Sequence, residues 1–402
     1  MPDDAADFDP FSPQGRDAWP LLRRLRDNSA LATVAGGLAY VTRHAECRAV
    51  LRDTSAFSNA SGMKAPGVVI PLQDRILGEL DPPDHTLVRR VMVTALTPKL
   101  VHGAEPFVRE TARTLLDAFP ESGSVDLVAA YTVALPNRVT VHLLGFPPED
   151  ADRISAMAQA LMESEFPLRN RTERGEGFAN AFPEFAGYID EQIDRREAAL
   201  RTDEASADVV TRLLQLEIDG QRLTRVQVRA LTRNLITGGL TTTSQLLGNL
   251  LHIVLTDTAV DTAVRSDDAA LARAIEESLR VSPPVLFVAR GCLRDTSIGD
   301  GAVRAGQRVV VGTGSANRDE RVFADPEHFD VERPNADQHL SFGYGAHVCP
   351  GATLARIVAR VGVRAFLDRF PPGSMAIARG FEFENVSTFF EIGPRRLPVE
   401  LG

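Results

Sequence analysis

Apolar residues recur at spacings of three and four along most of the 402-residue chain, the pattern of helices that bury one face. The spacing predicts helices over 16–27, 105–119, 150–163, 184–200, 205–217, 224–256, 267–281 and 352–369. Alternation with a period of two is rarer. ATVAGGLAYVT, residues 32–42, alternates around a Gly-Gly turn and reads as a hairpin. Within 286–312, SIGDGAVRAGQRVVV reads as a second hairpin and a buried strand, and further short strands are expected from 373 onward. Helices should dominate, with a small β region to one side. One long segment, 55–83, fits neither period and contains Gly62, Pro66, Gly67, Pro71, Pro82 and Pro83. A segment of that kind is a surface loop or a functional one, and both readings stay open.

No linker, repeat or low-complexity tract divides the chain, so a single domain over 1–402 is expected. Lys+Arg is 44 against Asp+Glu 54, a net charge of −10. That balance argues against a nucleic-acid partner, which needs clustered basic residues. No run approaches the roughly 18 apolar residues of a membrane span. The acidic start MPDDAADFDP lacks the basic and apolar regions of a signal peptide. Cys47, Cys292 and Cys349 are odd in number and far apart, which fits a reducing cytoplasm better than a disulfide framework. No CxxC pair or Cys/His cluster suggests structural zinc.

The sharpest local signal is HLSFGYGAHVCPGATLAR, residues 339–356. Phe342, Gly343, Gly345, His347, Cys349 and Gly351 fall just before the helix 352–369. Glycines let the backbone turn tightly and approach a flat ligand closely. A cysteine at a helix N-terminus meets unpaired N–H groups that favour its thiolate. This segment resembles the ligand loop of the cytochrome P450 family, Phe-x-x-Gly-x-(His/Arg)-x-Cys-x-Gly. Phe342, Gly345, His347, Cys349 and Gly351 fill every fixed place. The resemblance implies a mostly α, triangular, single P450-like domain with a small β region. It also implies that Cys349 ligates the iron of haem b (iron protoporphyrin IX), a thiolate that favours O–O cleavage.

Three other motifs lie in family order. Glu277 and Arg280 share a helix face at i,i+3, which by spacing alone is often a solvated pair. The resemblance implies instead a buried structural network joined by Arg333, with none of the three touching substrate. In DHTLVRR, His85 and Arg89 are spaced i,i+4. The resemblance gives them to the haem propionates, together with Arg290 and His347, arginine being suited to carboxylate.

The helix 224–256 carries ITGGLTTTSQ at its centre, poor helix material that requires a reason. One reason is a close helix crossing that needs small residues. The other, by resemblance, is the family's oxygen-binding groove, (Ala/Gly)-Gly-x-(Asp/Glu)-Thr. Gly238 and Gly239 then face the haem, Thr242 is the alcohol beside dioxygen, and Thr241 replaces the acid that normally helps relay protons. A threonine passes a proton through water but supplies none from a carboxyl group. Thr241 with ordered water, a polar group of the substrate, or peroxide-driven or one-electron coupling chemistry would each accommodate the change.

The expected activity is insertion of one oxygen atom from O2 into a small organic molecule, in bacterial secondary metabolism. Electrons would come from NAD(P)H through ferredoxin and its reductase, since no flavin or iron–sulfur domain is present. A peroxygenase or oxidative-coupling enzyme, and a non-catalytic haem-thiolate ligand-binding protein, are the alternatives. By resemblance the substrate meets 55–83, the region 163–185, Leu240, Val285, Phe287, Val288 and the turn at Thr388, Phe389 and Phe390, any of which is equally an ordinary core position. Arg169, Arg171 and Arg174 would meet an acidic substrate or simply face water. The chain is expected to be cytoplasmic, monomeric and free of the membrane.

Overall fold

The computed structural model describes residues 5–12, 18–62, 64, 70–164, 177–202, 206–388 and 390–402. The chain forms two compact units. One comprises Met1–Ser58, Phe107–Leu135 and Thr242–Gly402, the other Asn59–Pro106 and Pro136–Thr241.

The first unit carries most of the β structure. Its five-stranded sheet runs in the order Leu31–Val34, Leu38–Val41, Arg308–Val311, Val288–Cys292, Phe57–Ser58. The expected hairpin at 32–42 is present, with Leu31 opposite Val41 and Val34 opposite Leu38. Its turn places Gly36 and Gly37 at φ 69° and 72°, a region that side chains disfavour. Val309–Val311 then lies parallel to Ala39–Val41 and antiparallel to Val288–Arg290. Both faces of these central strands are covered. Ala39, Val41, Val309 and Val311 enter one apolar core with Cys47, Leu51 and Cys292. Tyr40 and Val310 enter another with Leu21, Leu25, Phe287 and Ile392. Burial on both faces is why Val309, Val310 and Val311 are apolar in succession and do not alternate.

The second expected hairpin pairs Thr296–Ile298 with Gly301–Val303. In the tail, Met375–Ile377 and Pro398–Leu401 join Gly123–Asp126 in a three-stranded sheet. The helices Asp268–Val281 and Ala352–Arg369 fall where the apolar spacing put them. Thr258–Ser266 was not anticipated, because it buries only Val260 and Val264. Asp257 and Asp267 cap these successive helices by accepting backbone N–H bonds.

The second unit is helical, with Asp84–Ala95, Ala151–Glu163, Pro183–Thr202 and Val209–Gln215 as its main pieces. The helix expected over 205–217 is shorter at both ends. Asp208 caps its start, accepting from Thr211 N at 2.8 Å. A hairpin of Glu217–Ile218 and Gln221–Arg222 follows it, turning on Asp219 and Gly220 at φ 54° and 74°. Asp-Gly is a strong signal for this two-residue turn and was readable in the sequence. After Pro71 the segment 55–83 is mixed: Leu72, Gln73, Pro82 and Pro83 are exposed, while Asp74, Leu77, Glu79 and Leu80 are buried. Residues 63 and 65–69 of that segment lie outside the described residues.

Arg225–Thr256 is one unbroken helix of 32 residues despite Gly238, Gly239 and the threonines 241–243. No helix among the described residues is long and apolar enough to cross a membrane.

Candidate functional site

Local backbone geometry presents Cys349. Gly343 and Gly345 take φ of 72° and 75°, which folds the segment back so that Cys349 N donates to Phe342 O at 2.8 Å. A side chain at Gly345 would press on the backbone of Leu51 and Arg52 at 3.0 and 3.2 Å. The loop therefore lies flush against the helix His44–Arg52, pinned further by Arg48 donating to the Tyr344 hydroxyl at 2.8 Å. Gly351 begins the helix Ala352–Arg369, and a side chain there would approach Cys349 Sγ at 3.8 Å.

The three cysteines differ sharply. Cys47 and Cys292 are buried, and burial pushes the Cys47 thiol well above its usual range. Cys349 is exposed. It is the thiol available to a ligand.

Behind the loop stands a brace that the sequence reading missed. Arg356 donates twice to Glu276 at 2.6 and 2.7 Å, and His339 Nε2 lies 3.2 Å from the same carboxylate. The Arg356 guanidinium also covers the Phe342 ring at 4.6 Å. Burial opposes charge on Glu276, but the hydrogen bonds from Arg356 and His339 overcome it and bring the carboxyl to about 2. Nothing in sequence spacing links residues 276, 339 and 356; only the packing of two helices does.

Glu277, Arg280 and Arg333 form a second network in the same unit. Arg280 donates to both Glu277 oxygens at 2.7 Å, and Arg333 Nε to Oε1 at 2.9 Å. Glu277 and Arg280 are fully buried. Arg290 is buried on the strand Val288–Cys292, its Nη1 donating to Ala289 O at 2.9 Å, and His347 lies in the turn Gly345–His347. His85 and Arg89 lie in the other unit, one turn apart on the helix Asp84–Ala95. Burial first, and then the charge of Arg89, hold the His85 imidazole below its usual value.

The long helix is buried over 230–233 and again over 243–251. Between them Asn234, Leu235, Gly238, Gly239, Thr241 and Thr242 are exposed or half-buried. At 100° per residue these six cover one arc of the helix, centred near Gly238. The two glycines divide in role. Gly238 is exposed, whereas Gly239 has Thr140 Oγ1 3.1 Å from where its side chain would start, so the close-crossing reading applies there. Thr237 donates to Arg233 O at 3.1 Å and Thr241 to Thr237 O at 3.3 Å.

Among the substrate positions, Leu240 is buried. It is 4% exposed and, two residues on from Gly238, faces away from the open arc. Phe287 packs in the apolar core, with Phe11 edge-on at 5.4 Å. Val285 and Val288 are half-buried, and Val285 bridges to Glu391. Phe389, Arg169, Arg171 and Arg174 lie outside the described residues.

The family model for cytochrome P450 matches residues 37–372. The chain belongs to the cytochrome P450 family. This P450 is 30% identical to the erythromycin C-12 hydroxylase of Saccharopolyspora erythraea over 91% of this chain and 90% of that one. It is 33% identical to the cyclomarin C epoxidase CymV of Salinispora arenicola over 80% of each. The solved structure of CYP109Q5 from Chondromyces apiculatus superimposes with a TM-score of 0.85 at 29% identity, covering 99% of both chains. The P450 is therefore a monooxygenase of the family fold, with haem b as its cofactor. The residues present fit that cofactor. One exposed thiol stands on a glycine-built turn, a soft donor for iron, and arginine and imidazole side chains suit the acidic groups of a porphyrin.

Proposed function

We propose that this P450 inserts one atom of O2 into a small, largely apolar molecule of bacterial secondary metabolism, with electrons from NAD(P)H through ferredoxin and its reductase. Its likeness to a macrolide hydroxylase and to the cyclomarin C epoxidase supports the substrate class. The observation that carries the reading is the open arc on an otherwise buried helix, which leaves Gly238, Thr241 and Thr242 accessible together.

In this reading Cys349 ligates the iron from its glycine turn. His85, Arg89, Arg290 and His347 hold the propionates, as charge-assisted hydrogen bonds to carboxylate favour. Glu277, Arg280 and Arg333 hold the fold and touch no substrate. When bound, the haem supplies dioxygen activation; the protein supplies orientation, exclusion of water and protons. Thr242 steers a proton toward the reacting oxygen. Thr241 spends its hydroxyl proton on Thr237 O, so it orders water chiefly as an acceptor. That bond is the specific reason to retain a second reading, turnover driven by hydrogen peroxide.

Two measurements test the proposal. Reduced, carbon-monoxide-treated protein should show the Soret band of thiolate-ligated haem, and Cys349→Ala should abolish it; a variant that kept the band would overturn the ligand assignment. With ferredoxin, its reductase and NADPH, turnover should exceed that with peroxide alone, and the reverse result would favour the second reading.

A further inference from the structure

Of the polar side chains on the open arc, Thr241 and Thr242 have been given to oxygen activation. Asn234 has no role. It lies one turn before Gly238 on the same face, and its Nδ2 is the single atom within 4 Å, at 3.9 Å, of where a Gly238 side chain would begin. Its backbone carbonyl accepts from Thr237 at 3.5 Å, but its carboxamide has no hydrogen-bond partner among the described residues. Of the other three carboxamides of this helix, two are hydrogen-bonded and the third, Gln245, is buried; Gln227 Oε1 accepts from Thr224 N at 2.8 Å. Asn249 donates to Ser282 O and Ile392 O at 3.1 and 3.0 Å, and the buried Gln245 fills the space beside Gly393. Asn234 alone is half-buried, on the arc and unspent.

A carboxamide facing an apolar ligand without a partner opposes binding, and one that meets a ligand oxygen selects for it. We propose that Asn234 is a specificity-determining residue: its carboxamide hydrogen-bonds a hydroxyl or carbonyl oxygen on an otherwise apolar substrate. Four residues separate it from Gly238 and eight from Thr242, so at 1.5 Å per residue the oxygen lies roughly 6 to 12 Å from the oxidised carbon. The substrate class is thus narrowed to apolar skeletons that already bear an oxygen function at that remove. This inference rests on the haem and groove assignment above.

The test uses haem-loaded protein and two matched probe series, 1-alkylimidazoles and 1-(ω-hydroxyalkyl)imidazoles, of increasing chain length. The imidazole anchors each probe at the iron, and dissociation constants are read from the Soret shift without turnover. At one chain length, wild type should favour the hydroxyl-ended probe over its methyl-ended partner about three- to tenfold more than Asn234→Leu does. Asn234→Asp, nearly isosteric, should shift the preference at that same length toward an ω-aminoalkyl chain. Identical probe ratios in wild type and both variants at every length would overturn the inference while leaving the haem reading intact. If unsubstituted imidazole left the spectrum unchanged, the haem reading itself would fall and this inference with it.

Discussion

Each unit of this P450 buries a cluster of charge, and the two clusters are built on different rules. In the first unit one carboxylate, Glu277, faces two arginines, Arg280 and Arg333. The excess positive charge is dispersed onto backbone carbonyls. Arg280 donates to Asn317 O, Pro326 O and His328 O at 2.8 to 3.1 Å, and Arg333 to Asp325 O and His328 O at 3.1 Å. In the second unit Lys64, Asp74, Glu79 and Arg233 balance one another in charge, and all four are buried. Lys64 pairs with Glu79 at 3.3 Å, while Arg233 donates to the backbone carbonyl of Asp74 at 3.2 Å and covers the Phe178 ring at 4.6 Å. Asp74 accepts from Phe178 N through one oxygen at 2.8 Å and leaves the other buried without a partner. The first cluster saturates its hydrogen bonds around cations that cannot lose their protons; the second contains a lysine that can.

That difference sets the largest expected effect. Glu277→Gln leaves two buried guanidinium groups facing a neutral amide, and neither can neutralise itself. Breaking a buried pair in this way costs about 3–5 kcal/mol. A domain is stable by only about 5–15 kcal/mol in total, so the variant should give little folded protein and a strongly lowered unfolding midpoint. A midpoint within a few degrees of wild type would show that the carbonyl cage, and not Glu277, holds the arginines.

The first cluster was legible in the sequence and the second was not, for a reason that lies in chain distance. Glu277 and Arg280 are one turn apart, so spacing puts them on one face, and the resemblance supplied Arg333. Lys64, Asp74, Glu79 and Arg233 come from a segment with no period and from a helix more than 150 residues later in the chain. The same divide runs through the candidate site. Cys349 and the glycines around it stand in one continuous motif, and the geometry of φ at Gly343 and Gly345 follows the glycine pattern. The brace of Glu276, His339 and Arg356 required tertiary packing to appear. Proximity along the chain to a motif does not fix which way a side chain faces; helix phase does, and it leaves Leu240 buried two residues from the exposed Gly238. The hairpin at Asp219-Gly220 is a different kind of miss, since its turn signal was local and was passed over in favour of helix spacing.

The second expected effect is smaller and depends on pH. Glu79→Gln removes the partner of Lys64, but the lysine can respond by giving up its proton. Burial already holds Lys64 below the usual lysine range, with Glu79 and Asp74 pulling its value up and Arg233 pushing it down. Removing Glu79 lowers it further. Between that lowered value and the ordinary one near 10.4, the unfolded chain carries a proton the folded protein lacks, so stability rises with pH across the window. The variant should be destabilised by about 1–3 kcal/mol at pH 7, consistent with loss of a partly replaceable partner. Its deficit relative to wild type should shrink by pH 9, whereas the deficit of Glu277→Gln should not. Denaturant unfolding of both variants at the two pH values decides it. Parallel deficits would mean that Lys64 stays charged and that the two clusters obey one rule.

The smallest effect is expected at Asp74. Asn keeps an oxygen that can accept from Phe178 N and replaces the unpartnered oxygen with an amide group. The substitution removes a buried charge that costs solvation, and it also removes negative charge that offsets the burial of the Arg233 guanidinium. The two changes oppose each other. Shape is nearly conserved, so the packing of Asp74 against the glycine at 177, where a side chain would start 2.6 Å from Asp74 Oδ2, is kept. The net change for Asp74→Asn should therefore stay within about 1 kcal/mol, as for a buried hydrogen bond retained. A loss approaching that of Glu277→Gln would mean that the charge of Asp74, and not its hydrogen bond to Phe178, fixes this cluster, and that Arg233 depends on a carboxylate as strictly as Arg280 does.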